Sequence, residues 1–174
     1  MPVEELAAAA GLDIGQVDDI LASRRAQGRV QFDDHGRLIG IAGLTIEPTR
    51  HQLHLGATTR WTWCALDAVG ILGALQATGT VQSTDPRTGN PVGIDFTDGE
   101  PQGDTTLFIL GGYDGSNLVE EWCPLVNFFA TPADAQAWVY ANHLEGDIVS
   151  VARIAADAAD MWRPVLERDA PQVC

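Results

Sequence analysis

Residues 60–70, RWTWCALDAVG, place a thiol, a carboxylate and two tryptophans in one short apolar segment. Cys64 and Asp67 are three residues apart, so a helix would bring both side chains to one face, with about 5–6 Å between their Cβ atoms. Apolar residues continue to Leu75 and cover nearly the whole circumference of such a helix. A helix with this pattern is normally buried. The segment therefore predicts the central helix of the core.

Segments of strand-forming residues flank this helix on both sides and predict a sheet. Strands are expected at 29–32, 37–42, 80–84, 91–96, 105–110 and 125–129, and helices over 3–10, from Asp13 to about Gly28, from Pro132 to about His143 and from Ala152 to Glu167. Turns such as 33–36 and 85–90 join neighbouring strands, which favours antiparallel pairing. The predicted fold class is α+β, with a mostly antiparallel sheet, the central apolar helix and covering helices.

The N-terminal part combines two helices and a β-hairpin, the order found in a winged helix. DNA binding and a purely structural role are the two interpretations of this element. Arg24 and Arg25 lie on the second helix, but so do Asp18 and Asp19, with Asp13 at its start. A helix that reads a DNA groove needs net positive charge, so the structural role is favoured. The predicted domains are a winged-helix-like subdomain (1–45), a linker or strand (46–59), a catalytic core (60–168) and a tail (169–174).

Composition indicates an ordinary globular protein of one domain, with 174 residues, 45% of them hydrophobic and 20% charged. No apolar run approaches the roughly 20 residues that a membrane span requires. Three cysteines, an odd number, argue against a disulfide framework and suit a reducing compartment, so we expect the cytoplasm. The net charge of −14 repels phosphate backbones and argues against a nucleic-acid partner.

Two thiols and one acid form the main candidate site. Besides Cys64 and Asp67 it includes Cys123, which lies in the segment EWCPLVNFF. The spacing of the two cysteines matches neither a zinc ribbon nor a redox Cys-x-x-Cys motif. Thiolates prefer soft metals, and an apolar pocket with two thiols and an acid would suit an organomercury compound. His51 and His54 have no cysteine near them in sequence and carry little weight as metal ligands.

Three motifs resemble the organomercurial (alkylmercury) lyase family: WCALD at 63–67, TGNPV at 88–92 and a cysteine shortly before VNFFA at 126–130. The resemblance extends over about residues 60–155. It implies a mercury-detoxifying lyase that protonates the carbon–mercury bond and yields a hydrocarbon and Hg(II). It also implies roles for three residues: Cys64 first takes the mercury, Asp67 relays the proton, and Cys123 is the second thiol.

The resemblance has further implications. It predicts no cofactor, a need for external small thiols to remove Hg(II), and transfer of the ion to those thiols or to a mercuric reductase. The N-terminal element would cover part of the active-site region and would not read DNA. Many members of that family carry a cysteine where this chain has Asp85.

Other residues and other functions stay open from the sequence. Trp63 and Trp122 are expected to form pocket walls. Cys174, the last residue, is either a shuttle thiol that carries Hg(II) away or incidental, and we favour the latter. The main alternative function is a non-catalytic protein that binds or senses a soft metal, mercury or copper, through the same cysteines. A metal-responsive transcriptional regulator is a weaker alternative because of the acidic charge.

Overall fold

The structure, a computed structural model, describes residues 2–26, 28–113 and 117–166. Its helices are α1 (Val3–Ala10), α2 (Ile14–Ala26), α3 (Ala65–Ala74), α4 (Pro132–Ala141) and α5 (Val151–Leu166), with a π-helical turn at Leu118–Trp122 and a 3-10 turn at Cys123–Leu125. Its strands are β1 (Val30–Phe32), β2 (Leu38–Ile41), β3 (Leu44–Thr45), β4 (His51–Leu55), β5 (Thr58–Thr62), β6 (Gly79–Thr84), β7 (Pro91–Thr97), β8 (Glu100–Gln102), β9 (Thr106–Leu110), β10 (Asn127–Phe129) and β11 (Gly146–Ser150).

The strands of the described residues form two antiparallel sheets. The larger has the order β1-β2-β3-β5-β4-β6-β7-β8, and the smaller has the order β10-β9-β11. Each strand pair runs antiparallel. The predicted α+β class with an antiparallel sheet is confirmed.

Helix α3 is the central helix that the sequence predicts, and it is buried from Ala65 to Leu72. It contacts strands of both sheets and packs along α5. Small residues permit this close approach: a Cβ on Gly70 would collide with the ring of Trp162, and one on Gly73 would lie 2.8 Å from the Cβ of Ala159. Helix α5 therefore closes the core over α3.

The N-terminal helices and hairpin have a small core of their own, formed by Ala7, Val17, Leu21 and Val30. The hairpin β1–β2 also joins the larger sheet, because β2 pairs with β3 and β3 pairs with β5. The N-terminal element is thus attached directly to the strand that leads into α3. Its elements have the expected order, and the winged-helix assignment and the domain boundaries stay predictions.

The segment between the hairpin and α3 contains more structure than the sequence indicates. Where one linker leading into a strand is expected, three short strands form: β3, β4 and β5. A tight turn at Gly56, which has φ +57°, lets β5 fold back along β4. None of the described helices is long and apolar enough to cross a lipid bilayer.

Candidate active site

Cys64 and Asp67 are joined by a reciprocal capping box at the start of α3. Cys64 is the residue before the helix, with extended backbone angles of φ −143° and ψ 173°. Its sulfur accepts a hydrogen bond from the Asp67 amide at 3.4 Å, and Asp67 Oδ2 accepts one from the Cys64 amide at 2.9 Å. The two side chains are therefore close because they cap the helix, and not because they share a helix face.

Cys123 lies beside the start of α3 as well, but it belongs to a different element. It begins the 3-10 turn before β10, and its carbonyl accepts the Val126 amide at 3.1 Å. The Val126 carbonyl in turn accepts the amide of Ala65, the first residue of α3, at 3.1 Å. This backbone connection holds the turn against the helix start.

The result is a compact buried cluster of the three predicted site residues. The sulfur atoms of Cys64 and Cys123 and a carboxylate oxygen of Asp67 all lie within 4.8 Å of one another. Each residue is at most 2% exposed. Two free thiols and an acid in this arrangement can bind a soft metal ion.

Burial controls the protonation of this cluster. It raises the pKa of Asp67 to about 7, although the hydrogen bonds from Cys64 and the charge of Arg29 oppose the rise. Burial also raises the pKa of the Cys64 thiol well above its usual value, assisted by Cys123 and by the Asp67 charge. At neutral pH, burial therefore favours the protonated form of the Cys64 thiol, and the Asp67 carboxyl group is protonated for a substantial part of the time.

Gly43 is a site residue that the sequence reading misses. It lies in the turn between β2 and β3 with φ +88°, and a Cβ there would come within 2.5 Å of Asp67 Oδ1. Its carbonyl accepts the Trp63 amide at 3.0 Å. The contact joins residues 24 positions apart in sequence (67 − 43), and no local pattern marks it.

The two predicted wall tryptophans have different environments. Trp63 is buried, and its indole N–H donates to Gln31 Oε1 at 2.5 Å. It lines a cleft of about 260 Å³ together with Pro124, the residue after Cys123. The indole of Trp122 donates to the Leu110 carbonyl at 2.9 Å, which fixes it to β9. That either ring contacts substrate stays a prediction.

The histidines lie outside the cluster. His51 is buried, its Nδ1 is 2.9 Å from the Ser83 hydroxyl, and burial together with the Arg50 charge lowers its pKa to about 3. His54 Nδ1 is 3.2 Å from the Thr59 hydroxyl. Among the described residues, neither histidine belongs to a metal-binding group with the cysteines. Cys174 lies outside the described residues.

Comparison with known proteins identifies the family. The sequence model of alkylmercury lyase (MerB) matches residues 44–163, a span that includes both buried cysteines and Asp67. The chain belongs to the alkylmercury lyase family. The predicted resemblance is therefore confirmed, and the enzyme class is lyase.

Two curated alkylmercury lyases show how much of the chain is shared. One from Streptomyces lividans is 31% identical over 99% of this chain and 80% of its own length. One from Pseudomonas putida is 30% identical over 62% of this chain and 52% of its own length. The crystal structure of the mercury-bound form of MerB2 aligns with a TM-score of 0.84 over 96% of this chain and 83% of that one. At 20% identity, this last likeness shows the fold.

The lyase family match begins at Leu44, yet residues before it border the site. Gly43 contacts Asp67, Gln31 binds Trp63, and Arg29 acts electrostatically on Asp67. Residues of the N-terminal element and of the turn that follows it thus border the candidate site, and that this element covers the site stays a prediction.

Proposed function

We propose that this chain cleaves the carbon–mercury bond of alkyl and aryl mercury compounds by protonolysis, releasing a hydrocarbon and Hg(II). The observation that carries the proposal is the buried acid beside two buried thiols. Two thiols alone would suffice to bind mercury. A carboxyl group with a pKa near 7 in an apolar site adds a proton donor matched to neutral pH.

In the first step, Cys64 takes the mercury from a thiolate-bound substrate, R–Hg–SR′. A bond forms between the Cys64 sulfur and mercury, and the bond between mercury and SR′ breaks. The proton of the Cys64 thiol leaves with the departing thiolate as R′SH. Binding to mercury removes the cost of a buried thiolate, because the metal replaces the proton.

In the second step, Cys123 adds its sulfur to the same mercury atom. Its proton passes to the Asp67 carboxylate, and the resulting carboxylic acid protonates the carbon bound to mercury. The carbon–mercury bonding pair stays with carbon and takes the proton, so RH leaves and no electrons are exchanged with a cofactor. Asp67 Oδ2 already accepts the Cys64 amide, which orients the carboxyl group toward the thiols.

Release of Hg(II) requires competing ligands. Two small thiols replace Cys64 and Cys123 on the ion and return both protein thiols with their protons. We place the reaction in the cytoplasm, where reducing conditions supply such thiols, and propose that a mercuric reductase takes the ion next. No resident cofactor takes part in this scheme.

The test is release of benzene from phenylmercury in excess small thiol, measured by headspace gas chromatography. The wild type should release many equivalents of benzene. Cys64→Ser, Cys123→Ser and Asp67→Asn should each lower the rate by at least about 100-fold, because each removes a group that bonds to mercury or moves the proton. Asp147→Asn, an exposed carboxylate change, is the matched control and should keep the rate.

Phenylmercury binding by Asp67→Asn separates the two candidate functions. If Asp67→Asn binds phenylmercury tightly but releases no benzene, while the wild type releases it, the substitution has blocked proton transfer and left binding intact. Tight binding without benzene in the wild type itself would contradict the proposal. The chain would then be a soft-metal binding or sensing protein that uses the same thiols.

A further inference from the structure

A small cleft borders the chain neighbours of both thiols. It encloses about 260 Å³, and its lining includes Trp63, which precedes Cys64, and Pro124, which follows Cys123. Typical ligand pockets hold roughly 300–1,000 Å³, so this cleft fits a small molecule. Val119 adds an apolar surface, whereas Gln31 and Asn127 add polar ones.

Arg50 is the cation of this cleft. In the described part of the chain it forms no ion pair, and it donates a long hydrogen bond of 3.5 Å to the Thr84 carbonyl. It also borders a second, more open cleft of about 580 Å³ on the larger sheet. The guanidinium group is exposed and can bind an anion without first losing a carboxylate partner.

The neighbours of Arg50 do not neutralise it. His51, the adjacent lining residue, is buried and uncharged, with its ring nitrogen on Ser83. The protein as a whole carries a net charge of −14 and repels anions. An anionic ligand that enters this cleft therefore needs a local cation, and Arg50 provides it.

We propose that Arg50 binds the carboxylate of the small thiol that delivers the organomercurial or removes Hg(II). This inference rests on the proposed function and specifies the external thiol in that reaction: a small thiol that carries a carboxylate. In water with excess thiol, an organomercury cation exists as a thiolate adduct, so a thiol leaves or enters at each stage. With its carboxylate on Arg50, such a thiol would occupy the cleft that Trp63 and Pro124, the chain neighbours of the two cysteines, help to line.

The first experiment needs no carbon–mercury cleavage. The protein is loaded with HgCl₂, and removal of the ion is followed by stopped flow with 3-mercaptopropionate or with its neutral analogue 3-mercaptopropionamide. The wild type should favour the carboxylate thiol by up to about fivefold, the upper end of the range for an exposed ion pair. Arg50→Gln should bring the ratio of the two rates to about one, and Arg50→Glu should reverse the preference.

Arg60→Gln is the matched control. Arg60 lies on β5, is exposed, and does not line the cleft. Arg60→Gln should keep the preference of the wild type for the carboxylate thiol. The wild type should show the same preference during turnover, when benzene release is measured with the same two thiols. Equal rates for both thiols in the wild type, or an unchanged ratio in Arg50→Gln, would overturn the proposal.

A third arm distinguishes the source of the carboxylate. Mercuribenzoate in 3-mercaptopropionamide carries its carboxylate on the organic group instead of the thiol. If Arg50→Gln weakens turnover of this substrate alone, Arg50 recognises the organic group and the thiol proposal is wrong. Absence of benzene from the wild type with either thiol would count against the proposed lyase function only, because the HgCl₂ experiment is independent of it.

Discussion

Gly43 lies so close to Asp67 that a Cβ at position 43 would come within 2.5 Å of the carboxylate oxygen Oδ1. The backbone of Gly43 is also left-handed, with φ +88°. The carboxyl group is therefore held between its own helix start and the β2–β3 turn. The position of the Asp67 carboxyl group therefore depends on Gly43, which has no side chain that could take part in the reaction.

Gly43→Ala should lower the rate of benzene release by about 100-fold, because displacing a reacting group by about 1 Å has an effect of that order. Gly36→Ala is the control: Gly36 has a similar φ of +73°, but nothing lies within 4 Å of its added Cβ. Both variants should lose about 1–2 kcal/mol of stability from the strained backbone. Equal rates for the two variants would show that the contact with Asp67 does not matter.

The raised pKa of Asp67 predicts how stability varies with pH in the mercury-free protein. Its pKa is about 7 in the fold, against an ordinary value of 3.8. Between these values the unfolded chain has lost the proton that the folded chain still binds, so the free energy of unfolding falls as pH rises. The contribution of Asp67 is complete below pH 4 and lost above pH 7, and amounts to at most roughly 4 kcal/mol.

Urea unfolding between pH 4.5 and pH 8 tests this sign. The stability of Asp67→Asn should depend less on pH than that of the wild type, and the difference between them should lie in this range. Asp147→Asn, at an exposed position, should follow the wild type. If the wild type and Asp67→Asn showed the same pH dependence, Asp67 would be ionised in the folded protein throughout the range, and the prediction would be wrong.

Asp85 should be important for stability. The residue is fully buried, and its carboxylate accepts backbone amides from Arg87 at 2.8 Å, Thr88 at 3.1 Å and Ala130 at 3.0 Å. It thereby joins the β6–β7 turn to the end of β10. The family resemblance implies that many relatives carry a cysteine at this position. In this chain, a carboxylate occupies the position and connects the two segments.

Asp85→Ala should lower the free energy of unfolding by about 2–3 kcal/mol, since it removes three charge-assisted hydrogen bonds. Asp85→Asn should cost less because it keeps one acceptor oxygen. Asp104→Ala, at an exposed position, is the control for loss of a negative charge. If Asp85→Ala unfolds at the same urea concentration as the control, these bonds contribute no net stability.

Local sequence features predict the central helix and the antiparallel sheets well. Helix α3 is recognisable because its residues are apolar all round, and turns such as 85–90 require antiparallel neighbours. The strand order is not predictable in this way, because β3 pairs with β5 and leaves β4 on the far side. That choice depends on contacts between segments distant in sequence.

The candidate site, like the fold, is only partly predictable from local sequence features. The spacing of Cys64 and Asp67 indicates that they meet, but their closeness arises from a capping box, which places Cys64 before the helix. Cys123 is recognisable through its motif only. Gly43 and Trp162 carry no local signal, because each acts through a contact that exists only in the folded chain.

Trp162 should position Asp67 through the β2–β3 turn. Its indole N–H donates to the Ala42 carbonyl at 3.3 Å, and its ring lies against Gly70 of α3. Ala42 itself has an unfavourable φ of +50° and precedes Gly43, which contacts Asp67. The hydrogen bond thus stabilises a turn in which the backbone of Ala42, a residue other than glycine, is strained.

Trp162→Phe removes the indole N–H but keeps an aromatic ring, and should lower kcat for benzene release several-fold without raising KM. The lost hydrogen bond is worth about 1 kcal/mol. Trp138→Phe is the matched control, because Trp138 packs on Phe108 and Phe129 in a separate apolar cluster. Both variants should lose some stability, but only Trp162→Phe should lose kcat. Equal effects on kcat would reduce Trp162 to a packing residue, since loss of packing alone would affect both variants alike.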